Sequence, residues 1–136
     1  MSKVITVAAA IIFNQQNQLL LVRKKNTEFF MQVGGKLEAN EESDQTLIRE
    51  IQEEIGADAL IQEFIGRFET QAANEENHQL VSYLYRVDLK QEPQIHAEIA
   101  EMKWLDLSDQ SLPLAPLTTE IVIPWCRQYL SAISET

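Results

Sequence analysis

Residues 35–57 read GKLEANEESDQTLIREIQEEIGA, and the acidic residues near the end of this stretch are the most informative part of the chain. Glu50, Glu53 and Glu54 stand at positions i, i+3 and i+4, so a helix would place their carboxylates along one edge. Like charges at this spacing destabilise a helix by about a few tenths of a kcal/mol per pair. Glu53 and Glu54 also lie just before Gly56, where the helix dipole disfavours anions. The pattern therefore predicts that a cation occupies this edge.

The apolar residues of the same stretch predict an α-helix over residues 44–55. They fall within about 100° of one another around a helix axis and form one stripe that can be buried: Leu47, Ile48, Ile51 and Ile55. Ser43 is the expected N-cap, and Gly56 supplies the left-handed residue that ends a helix. The glutamates project along a separate edge, which leaves them free to bind a ligand.

A glycine turn precedes this helix. Gly34 and Gly35 let the backbone approach a ligand closely, and Lys36 then offers a cation for a phosphate oxygen. Clustered carboxylates are the hard oxygen donors that suit Mg²⁺, which proteins usually hold together with substrate phosphates. An acidic helix face that is merely solvated is the alternative interpretation of the glutamates alone.

The spacing of these features resembles the signature box of the Nudix hydrolases, in their single-domain MutT-like form. Gly35 is followed after five residues by Glu41 and after seven more by REIQEEIG, residues 49–56, so every charged and glycine position of the box is matched. Three residues depart from those usual in or beside the box, and all acidic positions stay in place: Val33, Asn40 and Ala57. A non-catalytic Nudix-fold module that binds nucleotides or a partner protein is the alternative, although such modules usually lack one or more of the box glutamates.

The resemblance implies an α/β (α+β) fold, the Nudix α/β/α sandwich with a mixed central sheet. It implies a single Nudix domain over residues 1–136, with the acidic helix at about 44–55. An apolar stripe predicts a C-terminal helix at about 119–133, which Pro124 should kink or begin. This helix also suits a homodimer contact.

The implied reaction is Mg²⁺-dependent hydrolysis of a diphosphate linkage in a nucleoside diphosphate derivative, with Mn²⁺ as a substitute metal and a (d)NTP as a candidate substrate. Glu50, Glu53 and Glu54 are the implied catalytic residues and metal ligands, and either Glu50 or Glu53 could be the general base. The carbonyl of Gly34 and the side chain of Glu98 are further candidate metal ligands.

The remaining site predictions concern the substrate and the support of the acidic edge. Arg23 belongs to the basic cluster at residues 23–25 and is the candidate for phosphate contact, together with Lys36. Phe30 is a candidate for stacking on a nucleobase. Residues with supporting roles are expected to hold the carboxylates and the glycine turn: Gly35, Glu41 and Arg49.

Composition limits the partners. The formal net charge of −10 argues against binding long nucleic acid, which needs a basic surface. No apolar run reaches the length of a membrane span. A single cysteine, Cys126, cannot form an internal disulfide, and this fits a cytoplasmic protein. The partner that the resemblance implies is a small nucleotide.

Apolar patterns predict strands at about 3–13, 18–24, 80–89 and 102–107, with short strands before Gly34 and at 36–38. Residues 60–68 have the apolar spacing of a helix, whereas the resemblance implies a strand there, and we predict the strand. The polar residues 71–79 are expected to form a long loop that could border the site.

Overall fold

The structure is a computed structural model and describes residues 3–134. Within these residues, six strands and two α-helices follow one another, with one turn of π-helix before the second α-helix: β1 (Lys3–Ile11), β2 (Leu19–Lys24), β3 (Gly34–Lys36), α1 (Ser43–Ile55), β4 (Ala59–Gln71), β5 (His78–Leu89), β6 (Ile99–Leu105), the π-turn (Thr118–Val122) and α2 (Ile123–Ser134).

The central sheet has the strand order β3-β1-β5-β4. β1 runs parallel to β5, whereas the β1–β3 and β4–β5 pairs are antiparallel, so the sheet is mixed as predicted. Strands β2 and β6 form a separate antiparallel pair. This pair adjoins the end of β1, where the Leu20 amide donates to the Ile12 carbonyl at 2.9 Å.

Each face of the central sheet is covered by a helix. Residues of α1 are fully buried against one face, and each contributes about 1.5–3 kcal/mol from burial of its side chain: Leu47, Ile51 and Ile55. The π-turn and α2 cover the opposite face through Val122, Ile123 and Cys126. Successive residues of β1 alternate between these two cores. The predicted α/β/α sandwich is confirmed.

Helix α1 begins one residue earlier than predicted, and the prediction that Ser43 is the N-cap is wrong. The N-cap is Glu42, whose amide donates to Oε1 of Gln45 at 3.0 Å. Ser43 lies inside the first turn, because its hydroxyl group hydrogen-bonds the Tyr85 hydroxyl on β5. Gly56 ends the helix in the left-handed conformation, as predicted.

Residues 60–68 lie within strand β4, as predicted. Two β-bulges interrupt the pairing of β4 with β5, one between Ile61 and Glu63 and one between Phe64 and Gly66. Each bulge adds one residue to β4 and shifts the alternation of faces. The apolar residues therefore recur at helix-like intervals although the backbone is extended.

The connection after β4 is shorter than the predicted loop over 71–79. Strands β4 and β5 extend to Gln71 and His78, and the amide of Ala72 donates to the His78 carbonyl at 3.1 Å. The predicted strands before Gly34 and at 36–38 are replaced by one short strand, β3. Before β3, Met31 and Phe30 make only single bridges to Val22 and Leu114.

The C-terminal helix is divided at its start. Pro124 is the second residue of α2, and the π-turn over Thr118–Val122 precedes it. Proline has no amide hydrogen and its ring crowds the carbonyl four residues earlier, so a wider turn accommodates it. Of the two alternatives predicted for Pro124, a kink or the first turn, the structure places the residue in the first turn of α2, directly after the irregular π-turn.

Candidate active site

The acidic edge of α1 faces strand β3 at the border of the central sheet. The exposed fraction of the side chain differs among the three glutamates: 8% for Glu54, 16% for Glu50 and 54% for Glu53. The structure therefore brings two carboxylates against the glycine turn and leaves the third partly in solvent.

Glu54 contacts this turn directly. Its Oε1 accepts a hydrogen bond from the Gly34 amide at 3.2 Å, and its Oε2 lies 3.9 Å from Nζ of Lys24. Burial raises the pKa of Glu54 from 4.5 to about 7, even though the nearby Lys24 and the Gly34 amide both lower it. Glu54 is thus a buried carboxylate whose charge is only partly compensated by protein groups.

Glu50 occupies the space beside Gly35. A Cβ atom added at Gly35 would lie 2.4 Å from Cδ of Glu50, so the missing side chain makes room for the carboxylate. At Gly34 an added Cβ would lie 2.0 Å from the carbonyl oxygen of Ala8 on β1. Burial also raises the pKa of Glu50. The two glycines therefore let β3 fit between β1 and the glutamates.

Arg49 holds the acidic edge together. Its Nε and Nη2 donate to the two oxygens of Glu41 at 2.8 and 2.9 Å, and its Nη1 donates to Glu50 at 2.9 Å. Glu53 is a weaker partner, at 3.5 Å from Nη1. The hydrogen bonds from Arg49 lead the interactions that lower the pKa of Glu41 to about 2. Arg49 and Glu41 are thus placed for the supporting roles predicted from the sequence.

A cavity of about 210 Å³ adjoins β3. Its wall includes Lys24, Gln32, β3, residues 71–75 and residues 115–117. Apolar side chains of β1 and β5 form much of the remainder: Ile5, Val7, Ala9 and Leu80. Because Gly34 and Gly35 line the cavity and also touch the glutamates, the cavity and the acidic edge share one wall.

The three residues predicted to contact the substrate lie in different surroundings. Lys36 is exposed and lines the cavity. Arg23 pairs with Glu101 on β6 at 2.7 Å and donates to the Thr27 carbonyl at 2.7 Å, which gives its guanidinium group a structural task. Phe30 is buried in the core beneath α2, and this favours packing over base stacking. Substrate contacts by these three residues stay predictions.

Glu98 is exposed and precedes β6. Its carbonyl accepts a hydrogen bond from the Lys25 amide at 2.8 Å, and the nearby amide of His96 donates to the Glu54 carbonyl at 3.0 Å. Of the two bonds, only that of His96 reaches α1 and fastens the segment to the end of this helix, beside the acidic edge, since Lys25 follows β2. The role of Glu98 as a metal ligand, like that of the Gly34 carbonyl, stays a prediction.

The sequence did not point to Lys24 or Gln32 as site residues. Lys24 belongs to the same basic cluster as Arg23, but it is Lys24 that reaches both Glu54 and the cavity. Gln32 lies two residues before the glycine turn, and its amide oxygen accepts a hydrogen bond from the Thr118 hydroxyl at 2.9 Å. No pattern in the sequence marks Gln32, because Thr118 is distant along the chain.

The donor set suits a hard divalent cation. Glu50 and Glu54 offer carboxylate oxygens at a place where burial already disfavours their negative charge. Within residues 3–134, no three His, Cys, Asp or Glu side chains converge closely enough to hold a metal ion. Glu50 and Glu54 would therefore hold a cation only together with further oxygen donors, such as Glu53 or substrate phosphates.

Comparison with known proteins identifies the family. The profile of the NUDIX domain matches residues 3–126. This chain belongs to the Nudix family. The Nudix box, predicted from the spacing at residues 35–57, thus corresponds to β3, α1 and the turns that join them.

Solved structures support the same assignment. The Escherichia coli ORF135 protein is 25% identical, with a TM-score of 0.70 over 96% of this chain and 91% of that chain. A MutT NUDIX hydrolase from Burkholderia pseudomallei is 21% identical, with a TM-score of 0.76 over 90% of this chain and 98% of that chain. The latter similarity shows a shared Nudix fold.

An 8-oxo-dGTP diphosphatase from Haemophilus influenzae is 42% identical over 71 residues, which are 49% of this chain and 52% of that protein. This Nudix chain thus aligns with about half the length of the curated relatives that it matches. In the described part of the chain, none of the helices has the length and apolar character needed to cross a membrane.

Proposed function

We propose that this Nudix chain hydrolyses a diphosphate linkage in a nucleoside diphosphate derivative, with a nucleoside triphosphate as the best candidate substrate. Water adds to one phosphorus atom, the bond from that phosphorus to the bridging oxygen breaks, and two phosphate-bearing products leave. One observation carries the proposal: the partly buried Glu50 and the buried Glu54, whose charges the protein neutralises incompletely, share the wall of β3 with a largely apolar cavity.

The acidic edge is suited to hold the positive charge that this reaction needs. Hydrolysis of a diphosphate brings an anionic nucleophile to an anionic centre, so catalysis depends on neutralisation and positioning. A divalent cation, Mg²⁺ or its substitute Mn²⁺, supplies this positive charge when it is bound by Glu50, Glu53 and Glu54. Arg49 keeps Glu50 in place through the 2.9 Å hydrogen bond, and Gly34 does the same for Glu54.

Of the two candidate general bases, Glu53 is favoured by its surroundings. Its carboxylate is half exposed and lies 3.5 Å from Arg49, whereas Glu50 is held at 2.9 Å by the same guanidinium group. A less restrained carboxylate can turn toward the attacking water and accept its proton.

Basic residues around the cavity supply attraction for phosphates. Lys24 and Lys36 both line the cavity beside the two glycines, although the chain as a whole carries a formal net charge of −10. Local positive charge is what allows an acidic protein to bind an anionic substrate. We place the phosphates at this end and the nucleoside in the apolar part of the cavity.

The size of the cavity and the relatives support one class of substrate. About 210 Å³ is small for a whole cofactor and suits a single base. The H. influenzae relative is named for its action on 8-oxo-dGTP, and the match covers about half of its length. We therefore propose a purine nucleoside triphosphate, with the monophosphate and pyrophosphate as products. A homodimer and a cytoplasmic location stay predictions.

A nucleotide panel tests this function. The wild-type chain is incubated with nucleoside triphosphates, dinucleoside polyphosphates and nucleotide sugars, with Mg²⁺ or with EDTA, and the products are separated by ion-exchange chromatography. We expect Mg²⁺-dependent release of pyrophosphate from triphosphates, and loss of at least about 99% of this rate in E54Q. The matched control is E120Q, which changes an exposed glutamate on the π-turn.

Two results would contradict the proposal. One is equal turnover by E54Q and wild type, because the acidic edge would then be unnecessary. The other is binding of nucleotides without any turnover, with Mg²⁺ or Mn²⁺ present, which would favour a non-catalytic module.

A further inference from the structure

Gln32 carries an unused hydrogen-bond donor beside the cavity. The residue is 6% exposed and lines the cavity wall. Its Oε1 accepts the hydrogen bond from Thr118, but its Nε2 is buried without a hydrogen-bond partner. Buried polar groups in folded proteins are nearly always paired, so such a donor needs an explanation.

The orientation of this amide group is set by Thr118. The Thr118 side chain is fully buried, and its hydroxyl hydrogen is used in the bond to Oε1 of Gln32. If the amide were turned over, the Thr118 hydroxyl would accept from Nε2, and both its own hydrogen and the Gln32 oxygen would lose their partners. The observed orientation leaves the smaller number of unpaired groups and directs the N–H donors away from Thr118.

No residue of the cavity wall accepts a hydrogen bond from this donor. Much of the wall is apolar, including Val7, Ala9 and Leu117, and the acceptor side chains that also line it leave Nε2 of Gln32 without a partner: Thr27, Gln71, Asn74 and Glu75. Lys24 and Lys36, at the end that we assign to the phosphates, also donate hydrogen bonds and cannot accept one. A ligand in the cavity is therefore the natural source of an acceptor atom.

We infer that Gln32 determines base specificity by donating a hydrogen bond from Nε2 to a carbonyl oxygen of the bound nucleobase. This inference rests on the proposed function and names its preferred substrates as 6-oxopurine nucleotides. A 6-aminopurine presents an amino donor at the same position, so two donors would face each other and the Gln32 donor would stay unpaired. A site built around one such hydrogen bond discriminates strongly against the analogue that lacks the acceptor.

The matched ligand pair is inosine and adenosine, which carry an oxo or an amino group at the 6-position and consequently an N1 that is a donor in inosine and an acceptor in adenosine. Wild type is compared with Q32L, which removes the donor, and with Q32E, which keeps the length but presents a carboxylate. The control is Q62L, which makes the same change at an exposed glutamine of β4. Rates are measured with dITP and dATP at saturating Mg²⁺.

A second readout does not depend on turnover. Side-chain amide signals of ¹⁵N-labelled wild-type protein are followed by NMR during titration with dIMP or dAMP in EDTA, and the Gln32 signal is assigned by its absence in Q32L. We expect dIMP to shift this signal and to bind at least about tenfold more tightly than dAMP. We also expect the dITP/dATP ratio of kcat/KM to exceed about ten in wild type and Q62L and to fall below about three in Q32L and Q32E.

The outcomes separate this inference from the proposed function. Turnover of dITP and dATP at equal rates, or an unchanged ratio in folded Q32L, overturns the role of Gln32 and leaves the hydrolase intact. Selective binding of dIMP without turnover of any nucleotide supports Gln32 and refutes the hydrolase. If neither monophosphate binds or shifts the amide signal, the inference fails even when hydrolysis is observed.

Discussion

The buried carboxylate of Glu54 predicts an unusual dependence of stability on pH when metal is absent. Its pKa is raised from 4.5 to about 7, so between these values the folded chain holds a proton that the unfolded chain has lost. Stability therefore falls as the pH rises through this window and stays low above it. Substitution of Glu54 by glutamine removes the ionisable group and should remove this loss.

The size of the effect follows from the two pKa values. The difference between 4.5 and about 7 corresponds to about 3 kcal/mol, at about 1.4 kcal/mol per pH unit. Glutamine turns an amide N–H₂ group toward Lys24 in place of an attractive carboxylate oxygen, so this is an upper value. We expect E54Q to be more stable than wild type by about 1–3 kcal/mol at pH 8, which raises Tm by about 3–10 °C. At pH 4.5 the difference should be small.

Thermal unfolding in EDTA measures this difference across pH 4.5–8.5, with E120Q as the control. Glu50 contributes a slope of the same sign in wild type and E54Q, so the difference between the two proteins reports on Glu54 and on its repulsion of Glu50. Added Mg²⁺ should raise the Tm of wild type at pH 8 and have less effect on E54Q. If E54Q is no more stable than wild type at pH 8, the charge of Glu54 does not destabilise the folded protein. If Mg²⁺ stabilises both proteins equally, the cation does not depend on Glu54.

Three further predictions concern the support of the site and the core. Gly35→Ala should lower kcat by about 10–100-fold with little change in Tm, because its Cβ displaces the flexible end of Glu50. Arg49→Lys loses the paired hydrogen bonds to Glu41 and should reduce the free energy of unfolding in urea by about 1–3 kcal/mol. Burial raises the pKa of Cys126 to about 12, so Ellman's reagent should label this thiol only after denaturation, as measured by thionitrobenzoate absorbance.

Each of these three predictions can be contradicted by a specific result. Arg67→Lys alters a half-exposed pair with Glu69 and should cost less stability than the change at Arg49, because exposed ion pairs are weak. If Arg49→Lys lowers the free energy of unfolding by no more than Arg67→Lys does, the hydrogen bonds of Arg49 contribute no more than an ordinary surface ion pair. Normal turnover by the Gly35 variant would show that the position of Glu50 is unimportant. Rapid labelling of Cys126 in native protein would contradict its burial beneath α2.

Local features of the chain were predictable from the sequence. The period of the apolar residues and Gly56 are both contained in residues 44–56, so helix α1 and its end were correctly predicted. Glu50, Glu53 and Glu54 are close along the same helix, and their grouping needs no tertiary information. The N-cap was misplaced because Ser43 bonds to Tyr85, which the sequence does not bring near it.

Features that depend on contacts between distant parts of the chain could not be predicted from the sequence. Arg23 and Lys24 are adjacent basic residues, and their separate tasks depend on a register shift between β2 and β6 and on Glu101, which lies far along the chain. The role of Gln32 similarly depends on Thr118. The helix-like spacing of residues 60–68 arises from β-bulges, which are visible only once β4 is paired with β5.

We propose that the carboxylates of α1 hold a divalent cation for reaction at a bound diphosphate. Anomalous diffraction from crystals grown with Mn²⁺ and a non-hydrolysable purine nucleoside triphosphate tests this most directly. We expect an anomalous peak within coordination distance of both Glu50 and Glu54, with phosphate oxygens as the other ligands. A bound nucleotide with no Mn²⁺ peak between these two carboxylates would contradict it.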